Sequence, residues 1–223
     1  MKIHDGATVW SGRPLSDGVP LLIVMHGFGA NERDLAPLVP MLPNEFAAAC
    51  IRAPLPTPQM PGGFAWFPIT DNPGMPATEI ADEAVAAVSS WLTEATEGVT
   101  AGPVVLLGFS QGGAMVTHLL RHFPSRFAAG VVLSGFTVPG EVDTDEELRG
   151  VRPPVFFGYD PMDPIVPGAA FARTREFGAD HFQLTSKAYP IGHSINEAEL
   201  GDVAAFLQGL LGDLQGEPGS GIG

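Results

Sequence analysis

The sequence predicts an α/β fold built on a mostly parallel sheet with helices on both faces. Three observations predict it. Short, wholly apolar runs recur along the chain. Helical patterns fall between them. The residues able to do chemistry stand directly after the runs. Four or five apolar residues without alternation read as a strand buried on both faces, the habit of a parallel sheet. Strands alternating with helices point to βαβ winding, which places ligands at the carboxyl ends of the strands.

The elements follow in order. Leu21 to Met25 is the first strand, and it ends at His26-Gly27. Ala47 to Ile51, Val104 to Leu107, Gly130 to Leu133 and Val155 to Phe157 continue the set. Gln183 to Tyr189 alternates more, as a strand near the sheet edge does. Thr78 to Thr96 carries Ile80, Ala84, Val85, Val88, Trp91 and Leu92 at spacings of three and four, with Glu and Asp between them. Gln111 to His122, Pro167 to Phe177 and Ser194 to Leu211 are further helices, the last with a Ser194/Glu197 capping box. The segment from Leu55 to Pro76 is a Pro- and Gly-rich loop with Phe64, Trp66 and Phe67, of the kind that covers or lines a site. Residues 1–211 are expected to form one domain, and the Gly-rich tail 212–223 is expected to be disordered.

Composition bounds the function. The chain has 223 residues, 45% hydrophobic and 16% charged, enough for one sizeable core. Its 25 acidic against 11 basic side chains leave a formal charge of -14. Such a surface repels nucleic acid and anionic membranes at long range, so a small or neutral substrate, or one presented by a partner, is expected. The single cysteine, Cys50, lies in the apolar run Ala47 to Ile51; it can form no internal disulfide and reads as a small buried hydrophobe. No basic-then-apolar leader and no apolar run of about 20 residues is seen, so no membrane span and a cytoplasmic protein are expected.

The chemistry centres on Gly108-Phe109-Ser110-Gln111-Gly112. This G-x-S-x-G follows a strand and opens a helix, the context of a nucleophile elbow. A serine hydroxyl needs a base, and the base needs an acid to orient it. In that chain order the base is His193, which follows the Gln183–Tyr189 strand; His181 precedes it and falls at the wrong end of the sheet. Two aspartates follow Val155 to Phe157. Asp163 precedes the apolar Ile165-Val166 and is the better placed, while Asp160 remains an alternative. The oxyanion donors are expected to be the backbone N–H groups of Gln111 and of Phe28, in His26-Gly27-Phe28-Gly29, with His26 structural. Phe28, Trp66, Phe67, Met75, Met162 and Ile165 are candidates for the wall of an acyl groove. His118 and His122 have a metal-compatible i, i+4 spacing, but the HExxH glutamate is missing and no third ligand is evident, so no metal is expected.

With these residues in place, the chain resembles the phospholipase/carboxylesterase family of α/β-hydrolases, which includes the acyl-protein thioesterases. The resemblance rests on His26-Gly27-Phe28-Gly29, Arg52-Ala53-Pro54, Trp66-Phe67, Gly108 to Gly113, Ser134-Gly135, Asp163 to Pro167 and Gly192-His193, in the family's order. It implies an α/β-hydrolase fold and a Ser110, Asp163, His193 triad; no insertion long enough for a large lid separates the strands. It also implies oxyanion donors at Phe28 and Gln111, and hydrolysis of the ester or thioester bonds of small esters, lysophospholipids or acylated proteins without a cofactor. The sequence departs from the family pattern at Asp160-Pro161-Met162, at Pro68 and at Ala30-Asn31, positions that bear on substrate preference. Two alternatives share these residues: acyl transfer by the same triad, and a non-catalytic hydrolase-fold module that binds a ligand. Short or medium acyl chains are expected. Exposed apolar loops are compatible with a homodimer.

Overall fold

A computed structural model describes residues 1–69 and 74–215, the side chains of the last two excepted. The central sheet has seven strands. They are β1 (Val9–Gly12), β2 (Leu21–Met25), β3 (Ala47–Ile51), β6 (Val104–Phe109), β7 (Ala129–Leu133), β8 (Pro154–Tyr159) and β9 (Gln183–Ala188), in the spatial order β1-β3-β2-β6-β7-β8-β9. Strands β4 (Leu55–Pro56) and β5 (Phe64–Ala65) form a separate antiparallel ribbon. All neighbours in the main sheet are parallel except β1, which runs antiparallel to β3.

The parallel interior follows from the apolar runs. In β2, Leu21, Ile23 and Met25 join one hydrophobic cluster, and Leu22 and Val24 join the other. A strand sandwiched in this way can spare no position for a polar side chain. The first cluster is closed by helices α1 (Thr78–Ala95), α2 (Gln111–His122) and α4 (Gly168–His181). The second is closed by a 3₁₀ segment, Ala36–Met41, and by α5 (Glu197–Gln215). Cys50 packs in the second cluster, and burial pushes its thiol up to about 12, so it stays protonated. Among the described residues no helix is long and apolar enough to cross a membrane.

Several expectations shift. β1 was not foreseen, because four residues with alternating exposure carry no sustained pattern; it exists by pairing Val9 to Cys50 and Gly12 to Ala47. Helix α3 (Asp145–Val151) was also missed, since Leu148 is its one buried residue. The start of α5 is corrected. Asn196, not Ser194, caps it: the Asn196 Oδ1 accepts the Glu199 N–H at 2.9 Å and its carbonyl accepts the Leu200 N–H at 3.0 Å. The Ser194 hydroxyl instead faces the Ile195 carbonyl. The helix also runs to Gln215, past the expected end at Leu211. Of the expected disordered tail, residues 216–223 lie outside the described residues.

The register brings five strand ends to one edge. Met25 of β2 pairs with Gly108 of β6, Phe109 with Leu133 of β7, and Tyr159 of β8 with Ala188 of β9. Every segment carrying a candidate residue leaves from that edge. His181 ends α4 on the opposite side, before β9 begins, as its place in the chain predicts.

Candidate active site

Ser110 sits between β6 and α2 with φ 54° and ψ −115°. Side chains with a Cβ rarely occupy that region, and the neighbouring contacts hold it there. The Ser110 N–H donates to the Leu133 carbonyl at 2.8 Å, and its own carbonyl accepts the Ala114 N–H at 3.0 Å. The turn closes only because two neighbours lack side chains. A Cβ at Gly108 would stand 2.1 Å from the Gly112 carbonyl oxygen, and one at Gly112 would stand 2.0 Å from that of Met25. Glycine on both flanks is therefore a packing requirement of the elbow.

The hydroxyl meets its partner across the sheet edge. Ser110 Oγ lies 2.9 Å from His193 Nε2, and His193 Nδ1 lies 2.7 Å from Asp163 Oδ2. The Phe109 ring packs 4.9 Å from the imidazole. The Asp163 side chain is fully buried, and its other oxygen, Oδ1, accepts the N–H groups of Ile165 at 2.7 Å and Val166 at 2.9 Å. Those bonds hold one carboxylate edge, so only Oδ2 is offered to the histidine.

Asp160 has a different place. Its Oδ2 accepts the Ile191 and Gly192 N–H groups at 2.7 and 2.6 Å, and its Oδ1 accepts that of Met162 at 2.8 Å. The Met162, Gly192 and Ile191 N–H groups hold its carboxyl below the usual range. Asp160 ties the loop that carries Asp163 to the loop that carries His193. No local pattern signals this role, because the partners are backbone groups 31 and 32 residues away.

The loop after β2 is braced from behind. His26 is buried; its Nδ1 lies 2.7 Å from the Gly27 carbonyl, and its Nε2 accepts the Ala53 N–H at 3.1 Å. Burial pushes its pKa down, which keeps it neutral and fit to accept. Arg52 donates to both oxygens of buried Glu32 at 2.6 Å and lies over the Phe64 ring. The Gln111 side chain takes the Trp66 N–H on its Oε1 at 2.9 Å and gives its Nε2–H to the Phe67 carbonyl at 2.7 Å. Among the described residues, the backbone N–H groups of Phe28 and Gln111 make no hydrogen bond. Both belong to residues of the cleft wall beside Ser110.

That cleft has a volume of about 300 Å³ and is lined by Phe28, Phe67, Phe109, Phe136, Ile165 and neighbouring residues around Ser110 and His193. Three of the six expected wall residues are there: Phe28, Phe67 and Ile165. The other three are corrected. Trp66 is fully buried behind the wall, where its Nε1–H donates to the His26 carbonyl at 2.8 Å. Met162 points outward at 84% exposure, and exposed Met75 lies off the wall. Met60, Ile69, Phe136 and Val166 take their place. Phe136 follows β7, a strand end to which no candidate was assigned.

Two polar groups outside the triad are unusual. Glu199 on α5 is completely buried, and among the described residues neither carboxyl oxygen has a hydrogen-bond partner. It presses on β8, where a Cβ at Gly158 would stand 2.0 Å from its Oε1. Burial, helped by the Asp202 charge, pushes its pKa up to about 7. On the other face, His118 and His122 converge on Asp82 of α1, a carboxylate that their spacing gave no means of finding.

A parallel sheet in this strand order, with a serine elbow after β6, an acid after β8 and a histidine after β9, defines an α/β-hydrolase. The family model for Phospholipase/Carboxylesterase matches residues 12–211, and the chain belongs to that family. It is 29% identical over 209 residues to acyl-protein thioesterase 1 of Kluyveromyces lactis, covering 86% of this chain and 92% of that protein. It is 30% identical over 157 residues to the Arabidopsis thaliana carboxylesterase SOBER1, covering 65% and 67%. A match to acyl-protein thioesterase 1 of Saccharomyces cerevisiae, at 28% identity, spans about half of each chain, 52% of this one and 53% of that one. Among solved structures, esterase PE8 superposes with a TM-score of 0.78 at 23% identity over 94% of this chain and 100% of that one. The Bacillus cereus carboxylesterase does so with 0.78 at 19% identity over 91% and 93%.

Proposed function

We propose that this protein is a serine hydrolase of carboxylic esters or thioesters that works through an acyl-enzyme on Ser110. The observation that carries the reading is the continuous chain Ser110 Oγ–His193 Nε2, 2.9 Å, and His193 Nδ1–Asp163 Oδ2, 2.7 Å, with Ser110 and His193 lining an apolar cleft. In this reading Ser110 Oγ attacks the substrate carbonyl as His193 Nε2 takes its proton. Asp163 holds the imidazole with Nδ1–H toward it and stabilises the imidazolium. The Phe28 and Gln111 N–H groups receive the oxyanion. His193 then gives its proton to the leaving alcohol or thiol. A water, losing its proton to His193, attacks the acyl-enzyme; the acyl–Oγ bond breaks, His193 returns the proton to Ser110 Oγ, and the acid is released.

The cleft suits short or medium acyl chains, because its volume of about 300 Å³ is modest and its walls are aromatic and aliphatic. The acidic surface, -14 overall, fits a neutral substrate better than an anionic lipid surface. No cofactor is required by any step.

The test is covalent labelling with a fluorophosphonate, mapped by mass spectrometry, beside a p-nitrophenyl ester series of increasing chain length. Adduct at Ser110 with turnover that peaks at short or medium length is expected. Saturable ester binding without labelling or turnover would sink the reading and favour a ligand-binding module. Product carrying an added alcohol in preference to free acid would favour acyl transfer.

A further inference from the structure

We propose that Asp82, His118 and His122 form a binding site for one divalent transition cation of the zinc type, clamping α1 to α2 at the end of α2 remote from the serine. Asp82 Oδ1 lies 2.7 Å from His118 Nε2 and 3.0 Å from His122 Nε2, and the three ligand atoms all fall within 4.8 Å of one another. The i, i+4 spacing puts both imidazoles on one face of α2. Their planes stand at 81°, and both Nε2 atoms meet the same carboxylate oxygen.

The donor set selects the metal. Two imidazole nitrogens and one carboxylate suit zinc, whereas calcium and magnesium take oxygen shells. Metal–ligand bonds of about 2.0 Å in a tetrahedron place ligand atoms about 3.3 Å apart, so the two Asp82 contacts, at 2.7 and 3.0 Å, need open by only about 0.6 and 0.3 Å. Asp82 and His122 are partly exposed, 43% and 25%, so the fourth position opens toward solvent, where a water completes the shell.

The charge balance is also suited to a cation. Among the described residues, the ion-pair partners of Asp82 are these two imidazoles alone, so no arginine or lysine neutralises it. Arg121, the nearest cation on α2, is turned away: it binds both oxygens of Asp145 and the carbonyls of Val138 and Gly140. The His118 side chain is fully buried. Its Nδ1 has no partner among the described residues. No second bond therefore fixes the tautomer, and the proton can pass from Nε2 to Nδ1 as the Nε2 lone pair takes the metal.

The site is separate from the proposed chemistry. His118 and His122 lie eight and twelve residues beyond Ser110, about 12 and 18 Å along the helix. Binding is expected to stabilise the fold without altering the serine.

The experiment is titration of the metal-stripped full chain with Zn²⁺ and, separately, with Co²⁺, on the wild type and on the variants His122→Gln and Asp82→Asn. One equivalent of Co²⁺ should develop the intense visible bands of a four-coordinate ion, and Zn²⁺ should bleach them. Zn²⁺ at about a hundredfold excess over its Kd should raise the wild-type Tm by about 5–10 °C. Both variants should lose the cobalt bands and the Tm rise, and should bind Zn²⁺ at least about 100-fold more weakly. Circular dichroism verifies that each variant is folded. Absence of four-coordinate bands in the wild type overturns the proposal, whatever the variants do. So does equal Zn²⁺ affinity in wild type and folded variants, which would place the ion elsewhere.

Discussion

Replacing Glu199 by glutamine should remove a pH dependence of stability that the wild type carries. The carboxyl is completely buried and unpartnered among the described residues, so its neutral form is the one the fold accepts. A glutamate in the unfolded chain titrates at 4.5, and the folded Glu199 at about 7. Between those values the folded state binds more protons than the unfolded one, so stability falls as pH rises. The contribution is fully present below 4.5 and is lost as pH passes through about 7. At about 1.4 kcal/mol per pH unit, the gap amounts to about 3 kcal/mol.

His118 acts in the opposite sense. Burial pushes it down to about 4 from 6.5, so the unfolded chain binds more protons in that window and stability falls as pH drops. The two effects overlap between 4.5 and 6.5. For that reason the wild-type curve alone decides nothing, and the difference between wild type and Glu199→Gln isolates the glutamate. The assay is urea unfolding of both proteins at half-unit steps from pH 4.5 to 8. Wild type should lose about 3 kcal/mol relative to the variant across that range. Curves that stay parallel to within about 0.5 kcal/mol would refute the reasoning, because Glu199 would then titrate as it does unfolded.

Other outcomes follow from the same contacts. Ser110→Ala should lower kcat for any ester the protein hydrolyses by about 10⁴-fold or more, with little change in Tm, measured against the p-nitrophenyl series. Asp160→Asn leaves Asp163 and His193 in place but weakens the strut between their loops; kcat should fall by about 10- to 100-fold, and a variant at full rate would show that the Asp163 and His193 loops hold themselves. Gly158→Ala drives a Cβ to 2.0 Å from Glu199 Oε1 and should cost about 1–3 kcal/mol in urea unfolding, a penalty that Glu199→Ala in the same chain should largely relieve. Gln111→Ala keeps the backbone donor but strands the buried Trp66 N–H, and should destabilise the fold by about 1–3 kcal/mol.

The strand–helix alternation, the ends of β2 and β3, the whole of α2 and the serine elbow were legible in the amino-acid order, because each is set by local burial pattern or local steric demand. β2 reads as a strand since both its faces are covered, and Gly108 and Gly112 must be glycine for contacts only a few residues apart in chain order or across one strand pair. That His193 rather than His181 lies at the edge with Ser110 was legible too, since a parallel sheet sends all its strand ends to one edge. The tertiary structure decided what depends on distant chain segments meeting. It separated Asp163, which faces His193, from Asp160, whose partners are the backbone N–H groups of Met162, Ile191 and Gly192. It moved Trp66 behind the cleft wall and Met162 out into solvent, because a hydrophobic residue type records a preference for burial but not a direction. It brought Asp82 to the two histidines of α2, a meeting set by how α1 packs on α2. Local pattern is written residue by residue along the chain; which side chains face each other is fixed only when the helices dock on the sheet.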